Sequence, residues 1–387
     1  MIQYSRQYID NKDIKTVIKT LKSDFLTTGP KVPIFEKKLS QYIGSKYSVC
    51  LNSATSALHI ACLALGLKKN DILWTSPNSF VASANCALYC GAKVDFVDID
   101  EEDFNISIDL LKKKLKSASK KNKLPKIIIP VHFGGKSCDM KEIYKLSKKY
   151  KFKIIEDASH ALGAEYMKEK VGNCKYSDVS VFSLHPVKII TTFEGGVATT
   201  NKKEIYEKIK ILRNHGINRD FKKNAQQKIR AYFKQELLGF NYRMNDVQAS
   251  IGISQLNKIN FFLKKREKIK KFYDNQFKDI KILVQKKSNF SKSSNHLYVI
   301  RIKKFKKINL RDKLLKIFKD KKIFCSIHYI PVHLHPYYKN LGFKKGDFKY
   351  SEKYYDEALS IPIHPMLSIK QAKLVTKIIK KFIHSKY

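Results

Sequence analysis

A single lysine lies in a polar turn between two segments that have the pattern of strands. Residues 177–182 alternate polar and apolar side chains, and a glycine pair at 195–196 opens the next strand. Lys188 stands between them, and Ser183 and His185 come just before it. A lysine amine has a pKa of about 10.4 in water, so at neutral pH it is inert unless its surroundings lower that pKa or it is held as an imine. We therefore predict that Lys188 holds a carbonyl compound as a Schiff base.

An acidic residue ends an apolar segment upstream of this lysine. Asp157 follows two isoleucines and a glutamate, and His160 comes shortly after it. In open α/β sheets, ligands bind beyond the carboxyl ends of the strands. A carboxylate at that place would keep a bound pyridine nitrogen protonated and make the ring an electron sink. The pattern alone leaves two alternatives open: Asp157 as an ordinary helix cap, and His160 as a packed, hydrogen-bonded histidine.

Small residues that carry hydroxyl groups open a helix nearer the N-terminus. Ser53, Thr55 and Ser56 stand where an apolar segment gives way to helical spacing. Free backbone N–H groups and the helix dipole attract anions at such an N-terminus, and the hydroxyl groups add hydrogen bonds. The segment therefore suits a phosphate group, although serine and threonine are also common helix caps without any ligand.

The elements that must position these side chains alternate between strand and helix. Strands are predicted at 47–51, 71–75, 93–97, 126–131, 152–156, 178–182 and 196–199. Helices are predicted at 10–23, 32–43, 55–66, 79–90, 107–117, 139–150, 202–213 and 245–271. Such alternation is typical of an α/β fold with a largely parallel sheet and helices on both faces.

The chain has 387 residues, which is long enough for two domains. We predict a large domain over residues 1–258, with the N-terminal segment included. A smaller C-terminal α/β domain is predicted over 259–387, with strands near 296–302 and 323–328.

Composition indicates where the protein works. The seven cysteines are an odd number in mostly apolar surroundings, which is typical of buried free thiols in a reducing compartment. No apolar run approaches the roughly 18 residues of a membrane span, and the polar first ten residues do not resemble a signal peptide. We expect a cytoplasmic protein that has no membrane partner.

A group of histidines near the C-terminus raises the question of a metal site. The histidines are His328, His333, His335 and His364, and no carboxylate is evident beside them in the sequence. We prefer a loop that borders a substrate site, and we expect no metal.

The net formal charge of +43 invites a nucleic-acid hypothesis. Only eight of the 77 basic residues are arginine, the usual reader of bases, and the lysines are spread along the whole chain. We therefore prefer a solvated, lysine-rich surface that attracts an anionic substrate, and we expect no nucleic-acid partner.

The three segments around Thr55, Asp157 and Lys188, in this order and spacing, resemble a known family, the DegT/DnrJ/EryC1/StrS sugar aminotransferases. The resemblance extends from LTTGP at 26–30, through the NYRM segment at 241–244, to the C-terminus. It implies the α/β architecture of the fold type I transferases that depend on pyridoxal 5'-phosphate. In that architecture a large domain with a mostly parallel sheet is joined to a smaller C-terminal α/β domain.

The resemblance also implies a role for particular residues. Those implied to bind the cofactor are Ser53, Thr55, Phe80, Asp157, His160, Ser183, Lys188 and Asn241, and those implied to contact the substrate are His328 and Tyr329. Lys188 would bond to the cofactor and move a proton during the reaction. Asp157 would pair with the pyridine nitrogen, and Phe80 matches the position whose aromatic ring stacks on the cofactor.

Three hydroxyl groups and one asparagine would hold the phosphate. Ser53, Thr55 and Ser183 would do so within one chain, whereas Asn241 would reach the phosphate of the neighbouring subunit. The resemblance thus implies a homodimer with shared active sites. His160 stands where many members of the family carry glutamine.

The implied reaction has two halves. Glutamate leaves its amino group on the cofactor, and the C4 keto group of a UDP-linked 4-keto-6-deoxy-N-acetylhexosamine then collects it. The identity of this sugar is implied by a closer resemblance to members of the family that act in pseudaminic acid biosynthesis. The segments that carry this resemblance are 157–163, 182–188, 293–298 and 328–329.

Other functions remain open at this point. Another nucleotide keto sugar, either dTDP-linked or aminated at C3, would suit the same motifs. Some members of the family dehydrate sugars instead and carry histidine in place of the lysine, so Lys188 argues for transamination. A cofactor-binding regulatory protein is the alternative that is not an enzyme.

Overall fold

The computed structural model describes residues 1–218, 233–303 and 309–385. The helices, numbered along the chain, are α1 Asn11–Leu21, α2 Lys31–Ile43, α3 Ala54–Ala64, α4 Ala82–Tyr89, α5 Ile108–Lys120, α6 Met140–Tyr150, α7 Lys203–Leu212, α8 Asp246–Leu256, α9 Ile259–Gln276, α10 Leu310–Asp320, α11 Pro336–Lys339, α12 Lys349–Glu357 and α13 Ile369–His384. The strands are β1 Tyr47–Leu51, β2 Ile72–Thr75, β3 Lys93–Phe96, β4 Ile127–Ile129, β5 Lys153–Asp157, β6 Glu165–Tyr166, β7 Glu169–Lys170, β8 Val179–Ser183, β9 Gly196–Thr200, β10 Ile217–Asn218, β11 Lys234–Gln235, β12 Leu283–Val284, β13 Ser291–Lys292, β14 Tyr298–Arg301 and β15 Ala358–Ile361.

A seven-stranded sheet forms the centre of the molecule, with the strand order β1-β9-β8-β5-β4-β2-β3. The strands from β8 to β3 in this order pair in parallel. Only β9 runs against its neighbours, β1 and β8. The largely parallel sheet predicted from the alternation of strand and helix is confirmed.

The central sheet is buried on both faces. In β4, Ile128 packs in the core that contains α2 and α6, whereas Ile127 and Ile129 pack in the core that contains α3 and α7. Successive side chains of a strand point to opposite faces, so one short apolar run supplies both cores.

The prediction of a single helix at 245–271 is wrong, because the segment forms two helices, α8 and α9. The break falls at Asn257 and Lys258. Lys258 Nζ lies 2.6 Å from a carboxylate oxygen of Asp13 in α1, and Gln255 donates to the same oxygen at 2.8 Å. These contacts hold the turn against α1. The helical periodicity of the sequence contains no information about such tertiary contacts, so it could not predict the break.

A smaller antiparallel sheet, in the order β12-β14-β15, lies in the C-terminal part. Its strand β14 confirms the strand predicted near 296–302. The strand predicted at 323–328 is wrong, because that segment makes only isolated bridges, from Ile323 to Ile2 and from Ser326 to Ser360. The segment crosses from the N-terminal residues to β15, so it never runs beside one neighbour long enough to form a ladder.

Helix α9 connects the two parts of the molecule. Phe262 packs in a core of the central sheet, and Tyr273 packs in the core of the C-terminal sheet. The division into residues 1–258 and 259–387 stays a prediction. In the described parts of the chain, the helices are too short or too polar to cross a bilayer.

The carboxyl ends of β1, β2, β5 and β8 open at one edge of the central sheet, since these strands share one direction. The segments that leave this edge are the start of α3, the loop at 76–81, the turn after Asp157 and the turn at 184–195. These segments carry most of the residues that the sequence singles out.

Candidate active site

A cavity of about 350 Å³ opens at this edge of the sheet. Nine of the ten residues predicted for the site line it: Ser53, Thr55, Phe80, Asp157, His160, Ser183, Lys188, His328 and Tyr329. Tyr4, Ser79, His185, Glu194 and His296 are also part of the lining. The fold therefore brings together side chains from segments that are far apart in the sequence.

The N-terminus of α3 forms one end of the cavity. Ser53 is its cap, and the Ser53 hydroxyl oxygen accepts a hydrogen bond from the Ser56 N–H at 3.1 Å. A Cβ atom at Gly196 of β9 would lie 2.3 Å from the backbone carbonyl carbon of Ser53, so only glycine allows the strand to approach here. The first N–H groups of a helix have no carbonyl partner within it, and this end therefore suits an anion.

Lys188 lies in the turn after β8, where its backbone N–H donates to the carbonyl of His185 at 2.9 Å. Its side chain is half-buried and lines the cavity. Burial lowers the pKa of the Lys188 amine to about 8, although the charge of Asp157 opposes this shift. A substantial fraction of the amine is therefore uncharged just above neutral pH, which is the state that attacks a carbonyl group.

The carboxylate of Asp157 lies at the end of β5 and is 5% exposed. One oxygen accepts from the Ser159 N–H at 3.1 Å, and the other accepts from the Ser83 hydroxyl at 2.5 Å. No ion pair among the described residues includes Asp157. A buried carboxylate with no cation in direct contact is unfavourable by itself, so the site fits a ligand that brings a positive charge, such as a protonated ring nitrogen.

His160 is buried, and its two ring nitrogens have different partners. The Gly134 N–H points to Nδ1 at 3.3 Å, and Nε2 lies 3.2 Å from the Tyr329 hydroxyl oxygen. Burial and the charge of Lys188 lower the pKa of His160 well below its usual value. The ring is therefore neutral, with its single proton on Nε2, and it donates to Tyr329.

Tyr329 consequently has a fixed role as a donor. Its oxygen accepts from His160, and burial, together with the charge of Asp157, raises the pKa of its hydroxyl, so it keeps its proton. Because Tyr329 lines the cavity, its hydroxyl group can donate this proton in a hydrogen bond to a ligand there.

Two further histidines line the same wall. The His296 ring centroid lies 4.4 Å from that of His160, and His328 Nδ1 lies 2.8 Å from the Ser360 hydroxyl oxygen. Burial lowers the pKa of His328 to about 3, and it lowers the pKa of His296 well below its usual value. Near neutral pH these rings are neutral, so the wall offers hydrogen bonds without a positive charge.

Asn241 is the predicted residue that does not line this cavity. It is exposed and forms an isolated antiparallel bridge with Asn214. Its implied role at the site of a neighbouring subunit stays a prediction.

The sequence interpretation missed Tyr4, Ser83 and His296. Ser83 reaches Asp157 across 74 positions of the chain, and no sequence pattern links the two residues. Tyr4 arrives with the N-terminal segment, and its ring centroid lies 5.5 Å from that of His328. His296 does have a signal, since it belongs to the segment at 293–298 that carried the closer resemblance.

Two of the four histidines considered for a metal, His328 and His333, have partners within the protein. His333 is buried and pairs at 2.9 Å with Glu352, which lies 19 positions away in the sequence, so the fold supplies a carboxylate partner that was not evident from the sequence. Within the described ranges, no group of three or more histidine, cysteine or acidic side chains is arranged to hold a metal ion.

The sheet and the cavity at its carboxyl edge place the protein among the pyridoxal-phosphate enzymes of fold type I. The model of the DegT/DnrJ/EryC1/StrS aminotransferase family matches residues 7–380. The chain belongs to this family, and the resemblance seen in the sequence is confirmed.

Relatives match over nearly the whole chain. A protein of Campylobacter jejuni named UDP-4-amino-4,6-dideoxy-N-acetyl-beta-L-altrosamine transaminase is 44% identical, over 97% of this chain and 96% of its own. The structure of Helicobacter pylori PseC, described as an aminotransferase involved in the biosynthesis of pseudoaminic acid, is 34% identical with a TM-score of 0.89 and covers 99% of both chains. The PLP form of a putative sugar aminotransferase from Streptococcus pneumoniae is 28% identical with a TM-score of 0.89, over 100% of this chain and 99% of its own.

The protein is an aminotransferase whose cofactor is pyridoxal 5'-phosphate, as predicted. The cavity fits this group on chemical grounds. It offers a helix N-terminus for a phosphate, a buried carboxylate with no cation in direct contact, and an amine with a lowered pKa.

Proposed function

We propose that the protein transfers an amino group from glutamate to the C4 keto group of a UDP-linked 4-keto-6-deoxy-N-acetylhexosamine, in pseudaminic acid biosynthesis. The main support for amine transfer is that Lys188, whose amine has a lowered pKa, lines the same cavity as the carboxylate of Asp157. The choice of sugar is supported by the transaminase of Campylobacter jejuni, which is 44% identical.

We assign the cofactor contacts by the chemistry of each side chain. Ser53, Thr55 and Ser183, at the end of the cavity formed by α3 and β8, bind the phosphate. Asp157 pairs with the ring nitrogen. Phe80 is 60% exposed although it is aromatic, and it covers the ring once the cofactor is bound.

Lys188 moves the proton in this account. When bound, pyridoxal phosphate withdraws electrons from the carbon that carries the amino group. Lys188 Nζ would take the proton from the α-carbon of the amino donor and deliver it to C4′ of the bound cofactor. A pKa of about 8 suits this task, because a general base works best when its pKa lies near the working pH.

The wall that contains His160 and Tyr329 is proposed to bind the sugar. Tyr329 has a proton to donate to a keto or hydroxyl oxygen, and its orientation is set by His160. His328 and His296 complete a neutral surface that suits a hexose rather than a second anion.

We further propose a homodimer in which each subunit completes the site of the other. Ile14, Ile18 and Leu21 lie on one face of α1 and are 46–56% exposed, and the neighbouring Phe25 and Leu26 are also exposed. A monomer seldom leaves such an apolar surface in water. A second copy on this face would cover it, and Asn241 would serve the site of that copy.

A cytoplasmic location is part of the proposal. All seven cysteines are free thiols, and five of them are buried. Such thiols are typical of reducing compartments.

The test is a panel of keto sugars incubated with the purified protein and ¹⁵N-labelled glutamate. The panel contains UDP- and dTDP-linked sugars with the keto group at C3 or C4. We expect the label at C4 of the UDP-linked 4-keto-6-deoxy-N-acetylhexosamine, located by mass spectrometry and NMR.

Other outcomes would replace this proposal with a specific alternative. Label only in a dTDP-linked sugar or at C3 would assign a different nucleotide keto sugar. Loss of water without uptake of label would indicate a dehydratase. A protein that keeps the yellow cofactor but transfers no label to any sugar would favour a cofactor-binding regulatory protein.

A further inference from the structure

The carboxylate of Asp157 is held by a short chain of hydroxyl groups that the assignments above do not use. Ser83, in α4, donates to one carboxylate oxygen at 2.5 Å, and Ser79 lies 2.8 Å from the Ser83 oxygen. Ser83 is 0% exposed and Ser79 is 3% exposed. Both serines therefore exchange hydrogen bonds with the protein rather than with bulk water.

The direction of each hydrogen bond follows from the groups involved. A carboxylate only accepts, so the single proton of the Ser83 hydroxyl goes to Asp157. Ser83 then has no proton left for Ser79, and Ser79 must donate to Ser83. The chain therefore runs from Ser79 to Ser83 to Asp157, and each donor strengthens the next.

The geometry determines which lone pairs of Asp157 stay free. Ser83 occupies one oxygen and the Ser159 N–H occupies the other, at 3.1 Å. A carboxylate has about four acceptor positions, so about two remain, and Asp157 lines the cavity. The two protein donors fix the plane of the carboxylate while leaving room for one more donor.

We propose that Ser83 is a positioning residue, which orients Asp157 toward the ring nitrogen of the cofactor, and that Ser79 supports it. The proposal rests on pyridoxal phosphate as the cofactor and on Asp157 as the partner of its ring nitrogen. It does not depend on the identity of the sugar. Ser79 precedes the start of α4, and the loop brings its hydroxyl oxygen to 2.8 Å from that of Ser83.

The test compares two ligands on the apo-protein. One is pyridoxal 5'-phosphate, and the other is its analogue with a C–H group in place of the ring nitrogen. For Ser83→Ala we expect the affinity for pyridoxal phosphate to fall about tenfold, as for the loss of one hydrogen bond to a charged group. The affinity for the analogue should stay within about twofold, since the analogue makes no bond to Asp157.

Two control variants separate positioning from general stability. Ser83→Thr keeps the hydroxyl group and should restore the preference for the ring nitrogen. Ser250→Ala removes an equally buried helical hydroxyl, which donates to the Val247 carbonyl at 2.8 Å, and it should leave the ratio of the two affinities unchanged.

Equal losses for both ligands would overturn the proposal, because they would show a structural role only. No loss for either ligand would also overturn it. If Ser83→Ala does not fold, Ser79→Ala should show a smaller loss in the same direction. No sugar is present in this experiment, so failure of the sugar assignment would not be confused with failure of this inference.

Discussion

At the scale of the residue, the reactivity of Lys188 comes from the protein around it. Burial lowers the pKa of the amine to about 8, whereas an exposed lysine keeps a value of about 10.4. The unprotonated amine is the nucleophile, so the rate at which the apo-protein takes up pyridoxal phosphate should rise with pH and level off above about 8. Stopped-flow absorbance measures this rate between pH 6 and 10.

Free Nα-acetyl-lysine, measured in parallel, accounts for the titration of the cofactor itself. Its rate should continue to rise toward pH 10, and Lys188→Ala should show no fast uptake at any pH. A wild-type profile that follows the free lysine would show that the pKa of Lys188 is not lowered.

His160 offers a second test at this scale. Its ring accepts from Gly134 and donates to Tyr329. Glutamine can make both contacts, and leucine can make neither. We expect His160→Gln to keep most of the activity and His160→Leu to lower kcat/KM about 10-fold to 100-fold, as for one or two buried hydrogen bonds left unmade.

The pH profile adds an independent check on His160. Because its pKa lies well below the usual value, the charge of His160 does not change near neutral pH. Wild type and His160→Gln should therefore have the same apparent pKa values in kcat/KM. A titration near pH 6.5 that disappears in the glutamine variant would contradict the neutral assignment.

Some residues of the site could be predicted from the sequence and others could not, for a physical reason. Lys188 and Asp157 stand in segments whose local pattern already indicates the end of a strand. Ser83 has no such local signal, because its contact with Asp157 exists only once β2 and β5 lie on either side of β4. Strand order is a property of the folded sheet, so residues that act through it are found only in the structure.

At the scale of the element, the close approach of β9 to the start of α3 is the feature most open to test. A Cβ atom at Gly196 would lie 2.3 Å from the Ser53 carbonyl carbon, and backbone cannot move aside as a flexible side chain can. Gly196→Ala should lower the free energy of unfolding by about 1–3 kcal/mol and displace the helix end. The affinity for pyridoxal phosphate should fall about tenfold, measured by absorbance titration.

Val197→Ala is the matched control in the same strand. Val197 is fully buried, and its truncation should lower the free energy of unfolding by about 2 kcal/mol without moving the helix end. Its affinity for the cofactor should stay near that of the wild type. A similar loss of affinity in both variants would mean that instability, rather than the position of α3, is responsible.

The sequence predicts the bounds of a helix or strand well where the local pattern of apolar residues determines that element. The central strands and the helices between them fall within a few residues of the predicted bounds. The prediction fails at α8 and α9, where Asp13 in α1 binds Lys258 across 245 positions of the chain. It also fails at 323–328, where isolated bridges replace a ladder. In both cases a distant partner decides the local conformation.

For the whole molecule, we expect the exposed apolar face of α1 to form the interface of the proposed homodimer. Ile18→Asp places a charge in the proposed interface and should convert the dimer to a monomer. Leu374→Asp is the control, because Leu374 is exposed to the same 46% but lies on α13. Light scattering after size-exclusion chromatography measures both masses, and an unchanged mass for Ile18→Asp would place the interface elsewhere.

Shared active sites can be tested by mixing two inactive variants. Lys188→Ala and Asn241→Ala should each lose most activity as homodimers. After unfolding and refolding together, about half of the dimers are mixed, and each mixed dimer has one site with both residues intact. We expect about a quarter of the wild-type activity, and no recovery would show that Asn241 does not act across the interface.

The central claim is that Lys188, among the many lysines of this chain, is the residue that bonds to pyridoxal phosphate. Borohydride reduction of the purified holoenzyme, followed by digestion and mass spectrometry of the peptides, tests it most directly. We predict that the reduced cofactor is attached to the peptide that contains Lys188, and that Lys188→Ala carries no label there. A cofactor mass on other lysines with Lys188 unmodified, or no cofactor mass at all, would contradict the account.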